Sequence, residues 1–121
     1  MTAAEATWDE IADRLDDPTL IVLDVRAREE YDGVLGAPCC GRQGHIAGAR
    51  HLDVSELMEL DTDEIRERLG APGGIQVIAY CHSGSRSALA AEILRGAGYD
   101  ARNYGGSWHE WSHEATLPIE A

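Results

Sequence analysis

The chain has 121 residues, 44% of them apolar, which is enough for one domain with its own core; no segment approaches the roughly 18 apolar residues of a membrane span. Twenty-two acidic residues stand against ten basic ones, all arginine, for a net charge of −12. That balance excludes nucleic-acid binding, which needs a basic face, and the absence of lysine excludes Schiff-base and lysine general-base chemistry. Three cysteines without framework spacing, and an acidic start (Met1 to Asp13) without an apolar h-region, argue against a disulfide-stapled secreted fold. The expected compartment is the cytoplasm, and most of the acids, in 5–17 and 53–67, read as a solvated surface.

Thr7 and Glu10 have capping-box spacing, and Trp8, Ile11, Ala12 and Leu15 recur at helical intervals, so a helix is expected until Asp16-Asp17-Pro18 stops it. Leu20-Ile21-Val22-Leu23-Asp24-Val25 is a continuous apolar run of strand length, the pattern of a strand buried on both faces. A short helix at about 27–31 follows, then a loop over 33–44 marked by Gly33, Gly36, Pro38, Gly41 and Gly44. His45-Ile46-Ala47-Gly48-Ala49 leads into an extended piece at 50–52. Ser55 starts one short helix, and Asp61-Thr62-Asp63-Glu64 opens another that ends near Gly70 to Gly74. Residues 76–80 read as a buried strand and 85–97 as a helix whose apolar face carries Leu89, Ala90, Ile93, Leu94 and Ala97, with Gly96 and Gly98 as the stop. A strand at 101–104, a Gly105-Gly106 turn and a terminal helix at 107–113 complete the pass. The alternation predicts an α/β fold in one domain, 1–121 with its core at about 7–113: a doubly wound, mainly parallel five-stranded sheet with helices on both faces.

Such sheets place their sites beyond the carboxyl ends of the strands, where Asp24 and Cys81 fall. Tyr80-Cys81-His82-Ser83-Gly84-Ser85-Arg86-Ser87 sets a thiol between a strand and a helix, with four residues between it and Arg86. Small residues in that interval let backbone N–H groups turn inward around one point. Beside a helix N-terminus and a guanidinium, such a nest favours thiolate over thiol. The layout is that of a nucleophile.

With these residues placed, the chain resembles a rhodanese domain from about Thr7 to Trp111. The resemblance rests on Leu23-Asp24-Val25-Arg26 with Glu30-Tyr31, on Gly44-His45-Ile46-Ala47-Gly48-Ala49, on Cys81 through Arg86, and on Tyr104-Gly105-Gly106-Ser107-Trp108-His109-Glu110-Trp111. The bulge at 33–44 and the C-terminal motif look more like the catalytic C-terminal half of tandem sulfurtransferases than the smallest single-domain members. The resemblance implies a sulfurtransferase in which Cys81 carries the sulfur and the amides of His82, Ser83, Gly84, Ser85 and Arg86 surround its persulfide. Asp24 and Arg26 would be the acidic–basic pair behind the loop, and His45 the histidine of the glycine-histidine-isoleucine box, more structural than catalytic. A small anionic donor such as thiosulfate or a persulfide and a thiol or protein acceptor would be the partners, and no metal or organic cofactor is required. The alternative is a protein-to-protein persulfide relay. Without a partner half the site would be open, or covered by a second copy of the chain as a homodimer. Related cysteine phosphatases place five residues between cysteine and arginine, so the smaller ring here suits a persulfide rather than a tetrahedral oxyanion.

Three other signals compete. His109-Glu110-Trp111-Ser112-His113 spells the zinc-protease pattern, but it overlaps the rhodanese-like ending and lacks a third ligand and a backing helix. Trp108 and Trp111 are read as anchors of a terminal helix, with His109 and His113 exposed. Cys39-Cys40 is read as a pair of loop thiols, with resolution of an oxidised Cys81 as the functional alternative; a Cys39-Cys40-His45 metal site is one ligand short. Arg42 and Arg28 are candidates for the positive potential an anionic donor needs. Arg42 is preferred, because its loop leads into the His45 box.

Overall fold

The computed structural model describes residues 5–121; the first four residues, where the acidic N-terminal reading and the 1–121 domain reading both begin, lie outside the described residues. In chain order the elements are α1 (Trp8–Asp13), β1 (Leu20–Asp24), α2 (Arg28–Tyr31), β2 (His45–Ile46), β3 (Arg50–His51), α3 (Val54–Leu57), α4 (Thr62–Leu69), β4 (Gln76–Tyr80), α5 (Ser85–Gly96), β5 (Asp100–Asn103), α6 (Ser107–His113) and β6 (Ile119–Glu120). The main sheet is parallel, in the order β3-β1-β4-β5, and the two apolar runs form its centre, with Leu20 opposite Gln76 and Asp24 opposite Tyr80.

Side chains that alternate along the central strands feed two cores. Ile21, Leu23, Val77 and Ala79 point to one face and meet Leu57 of α3, Ile65 and Leu69 of α4, and Ala90, Ala91 and Leu94 of α5. Val22, Ile78 and Tyr80 point to the other and meet Ile11 of α1 and Trp108 and Trp111 of α6. A strand covered on both faces has no polar side to show, which is why its sequence reads as an unbroken apolar run.

Among the described residues the main sheet has four strands rather than five. Beside β5, among the described residues, there is a single parallel bridge, Ala6 with Tyr104, and α1 begins two residues later. A second, two-stranded antiparallel sheet joins β2 to β6, an element that no periodicity in the sequence announces. Thr7 precedes α1 without a side-chain cap, and Glu10 pairs with Arg102 of β5 and Arg14 instead of reaching back. Trp8 and Leu89, both expected on apolar faces, are exposed. On α5 the covered stripe is Ser87, Ala90, Ala91 and Leu94, three of them small enough to let the helix close onto β4, while Leu89 faces outward. At α4, Asp61 and Glu64 form a reciprocal capping box.

Candidate active site

β1 and β4 end side by side, and the site is built on the turns just beyond them. Asp24 closes β1 fully buried, its carboxylate taking the Arg26 backbone N–H at 2.9 Å, Nε at 3.0 Å and Nη2 at 2.6 Å. The same Nη2 donates to the Gly44 carbonyl at 2.6 Å, and the guanidinium lies over the Trp108 ring, 4.9 Å from its centroid. A side chain at Gly44 is impossible: φ is +128°, and a Cβ would stand 2.2 Å from the Glu120 carbonyl oxygen. His51 Nε2 donates to the Arg26 carbonyl at 2.7 Å, and the Ile46 N–H donates to the buried Tyr80 hydroxyl at 3.0 Å. The pair thus fastens the ends of β1 and β4 to the long loop and α6. Removal of one partner from a buried pair costs about 3–5 kcal/mol.

Cys81 comes directly after β4. The Gly84 N–H donates to its Sγ at 3.0 Å and the Ser87 hydroxyl at 3.4 Å. Gly84 has φ +98°, and a Cβ there would lie 2.8 Å from the Gly105 carbonyl oxygen, so the turn requires glycine twice over. Burial pushes the Cys81 thiol up, but the Ser87 hydroxyl and the N–H groups of Ser87, Gly84 and Ser83 outweigh it and hold it below the ordinary thiol range. The carbonyls on the far side are tied down: Cys81 accepts from the Trp108 N–H at 2.8 Å and His82 from the His109 N–H at 3.0 Å. The Cys81 N–H is spent on the Ser107 hydroxyl at 3.1 Å, which in turn donates to the Tyr104 carbonyl. Ser107 holds this post with φ +54°, an unusual conformation for a residue with a side chain. Cys81 itself is buried, while His82 and Arg86 of the same loop reach a cavity beside it.

The mouth is a cavity of about 340 Å³ lined by Glu30, Leu35, Gly36, Ala37, His82 and Arg86. Arg86 Nη1 stands 3.1 Å from Glu30 Oε1. Burial pushes the Glu30 carboxyl up, but the hydrogen bond and charge of Arg86 bring it below its ordinary value. A larger cavity of about 560 Å³, lined by Trp8, His109, Glu110, His113, Glu114 and Leu117, includes none of the Cys81 loop residues.

The expected site residues fall into three groups. Cys81, Gly84 and Arg86 are together with Asp24 and Arg26 behind them, while Ser83 and Ser85 lie exposed, with the Ser83 N–H turned to the Cys81 sulfur. His45 is a buried brace: Nδ1 donates to the Tyr31 carbonyl at 2.7 Å and its ring stacks on Tyr31. Arg42 is engaged elsewhere, which corrects its reading as a donor-binding residue. Its guanidinium donates to the carbonyls of Ser112 (3.1 Å), Trp111 (3.2 Å), Glu114 (2.8 Å) and Leu117 (3.0 Å), just past and within the end of α6. Arg28 pairs with Asp32 on the surface. His82 turns to the Cys39-Cys40 pair, with Nε2 3.4 Å and 3.5 Å from the two sulfurs. Sequence reasoning assigns no role to Ser87, Ser107 or Glu30. Ser87 is one residue past Arg86 and Glu30 stands in the Asp24 motif, so spacing alone could have nominated those two.

Three comparisons bear on this arrangement. The family profile described as rhodanese-like domain matches residues 7–114. A thiosulfate sulfurtransferase of Azotobacter vinelandii is 32% identical over 126 residues, covering 95% of this chain and 45% of that protein. Thiosulfate/3-mercaptopyruvate sulfurtransferase 1, mitochondrial, of Arabidopsis thaliana is 29% identical, covering 95% and 33%. A solved structure described as a probable thiosulfate sulfurtransferase superposes with a TM-score of 0.82 at 43% identity, covering 97% of this chain and 47% of that one. The chain therefore spans less than half the length of these relatives.

Proposed function

This chain belongs to the rhodanese-like domain family, and on that premise we propose that it is a sulfurtransferase that moves sulfane sulfur from a donor such as thiosulfate to a thiol acceptor through a persulfide on Cys81. The observation that carries the reading is the cradle at the end of β4: a thiol held below its ordinary pKa by the Gly84 N–H and Ser87 hydroxyl at the N-terminus of α5. The names of its relatives favour a small-molecule donor over the protein relay.

In the first half-reaction the Cys81 thiolate attacks the outer sulfur of thiosulfate. A sulfur–sulfur bond forms to Cys81, the sulfur–sulfur bond of thiosulfate breaks, and sulfite leaves with the electron pair. In the second, an acceptor thiolate attacks the outer sulfur of the persulfide and Cys81 leaves as thiolate. No net proton or redox equivalent is required. Both steps gather negative charge at the loop, where the N–H donors around Cys81 and the Arg86 charge stabilise it. Asp24, Arg26 and His45 position the loop. Three free thiols fit a reducing compartment such as the cytoplasm, and among the described residues no helix is long and apolar enough to cross a membrane.

Intact mass after thiosulfate treatment tests the chemistry. The wild type gains one sulfur atom, then loses it to an added thiol; Cys81→Ser gains none. A wild type that stays unmodified, or a Cys81→Ser protein that still gains sulfur, overturns the assignment.

A further inference from the structure

Four metal-ligating side chains from three separate segments converge beside the mouth. Cys39 and Cys40 come from the long loop, His82 from the turn after β4 and His109 from α6, and their ligand atoms all lie within 4.8 Å of one another. Sγ of Cys39 is 3.5 Å from Sγ of Cys40, 3.4 Å from His82 Nε2 and 3.7 Å from His109 Nδ1; Cys40 Sγ is 3.5 Å from His82 Nε2. Bonds of about 2.3 Å to sulfur and about 2.0–2.1 Å to nitrogen at tetrahedral angles give edges of about 3.8 Å between sulfurs and about 3.6 Å between sulfur and nitrogen. The four edges above lie within about 0.3 Å of those lengths, and the other two are bounded at 4.8 Å. A hydrogen bond joins these groups two at a time, whereas one ion would hold all four.

We propose that Cys39, Cys40, His82 and His109 form a closed site for a thiophilic, tetrahedral ion of the zinc class. Two sulfurs and two imidazoles select such an ion over magnesium or calcium, which take oxygen ligands. Four protein ligands leave no open position, so the ion is structural rather than hydrolytic. His113 stays outside the set, its Nδ1 2.5 Å from the His109 carbonyl, and Glu110 accepts from the Tyr104 hydroxyl, so the zinc-protease pattern is divided between other tasks. On binding, each cysteine gives its proton to solvent as its metal–sulfur bond forms, with no change of oxidation state. The ion ties the long loop, whose residues 35–37 form one wall of the mouth, to the active-site turn and to α6.

The test uses the full chain, reduced and stripped with a chelator, then titrated with zinc and separately with cobalt(II) as a spectroscopic probe. The expected result is one ion per chain, a tetrahedral cobalt spectrum with a thiolate charge-transfer band, and a thermal midpoint that rises with zinc. Cys39→Ser/Cys40→Ser abolishes stoichiometric binding and His109→Ala weakens it at least about tenfold, both with native circular dichroism, while Cys81→Ser binds as wild type. Absence of stoichiometric zinc, a cobalt spectrum without a thiolate band, or zinc lost in Cys81→Ser but kept in the double variant overturns the proposal. Because binding is read in Cys81→Ser and sulfur loading by mass, either can fail without the other.

Discussion

Arg86 is the one arginine of the Cys81 loop, and its charge is met at 3.1 Å by Glu30. In a chain of net charge −12, the anionic donor proposed above would meet a mouth whose positive character comes from backbone N–H groups and the α5 N-terminus more than from a free guanidinium. Glu30→Gln keeps an oxygen that accepts from Arg86 and removes the opposing charge. One unit charge a few ångströms away in well-solvated surroundings is worth about 1 kcal/mol, so KM for thiosulfate should fall about threefold to tenfold at low salt. Turnover should change little, and the gain should shrink as salt is added. Steady-state kinetics at two ionic strengths provide the check. An unchanged KM at low salt would place the donor away from Arg86.

At the scale of elements, α6 links the site to the rest of the fold. Its first N–H groups hold the carbonyls of Cys81 and His82, Trp108 and Trp111 are buried in the second core, and Arg42 collects carbonyls at its C-terminal end, where a cation also suits the helix dipole. Arg42→Ala leaves those carbonyls without their charged donor. Urea unfolding should report a loss of about 1–3 kcal/mol while KM for thiosulfate stays constant; a raised KM without lost stability would restore the donor-binding role. Sequence misplaces Arg42 because nearness to His45 along the chain does not say which way a long side chain runs. β1, β4 and the bounds of α6 are legible, since unbroken apolar runs and a Gly-Gly turn are local signals. β6 is not, because two residues carry no periodicity and pair only through contact with His45–Ile46. The cysteine loop is legible from the Gly84 and Arg86 spacing. The approach of Cys39 and Cys40 to His82 and His109 is not, since those residues stand up to 70 positions apart and meet only through the tertiary fold.

Over the whole molecule, 22 acidic residues repel one another while particular carboxylates stabilise the fold, and pH separates the two effects. Arg102 holds the Glu10 carboxyl below its ordinary value, and Glu30, despite burial, is held down by Arg86. Both release protons more readily in the folded state than in the unfolded chain. Their stabilisation is therefore complete above the ordinary carboxylate value of 4.5 and is lost as pH falls from there through the folded values. General repulsion behaves oppositely, being greatest at neutral pH and near zero at the isoelectric point of about 4.6. Salt screens repulsion between dispersed surface charges more than it weakens close, part-buried pairs. The thermal midpoint at pH 7 should thus rise as sodium chloride is raised to about 0.5 M, and that rise should shrink near the isoelectric point. Below it the midpoint should drop steeply, as Glu10 and Glu30 protonate and leave Arg102 and Arg86 among a growing excess of positive charge. Calorimetry across pH and salt makes the comparison. A midpoint that falls with salt at pH 7 would mean that surface ion pairs, not repulsion, dominate this acidic chain.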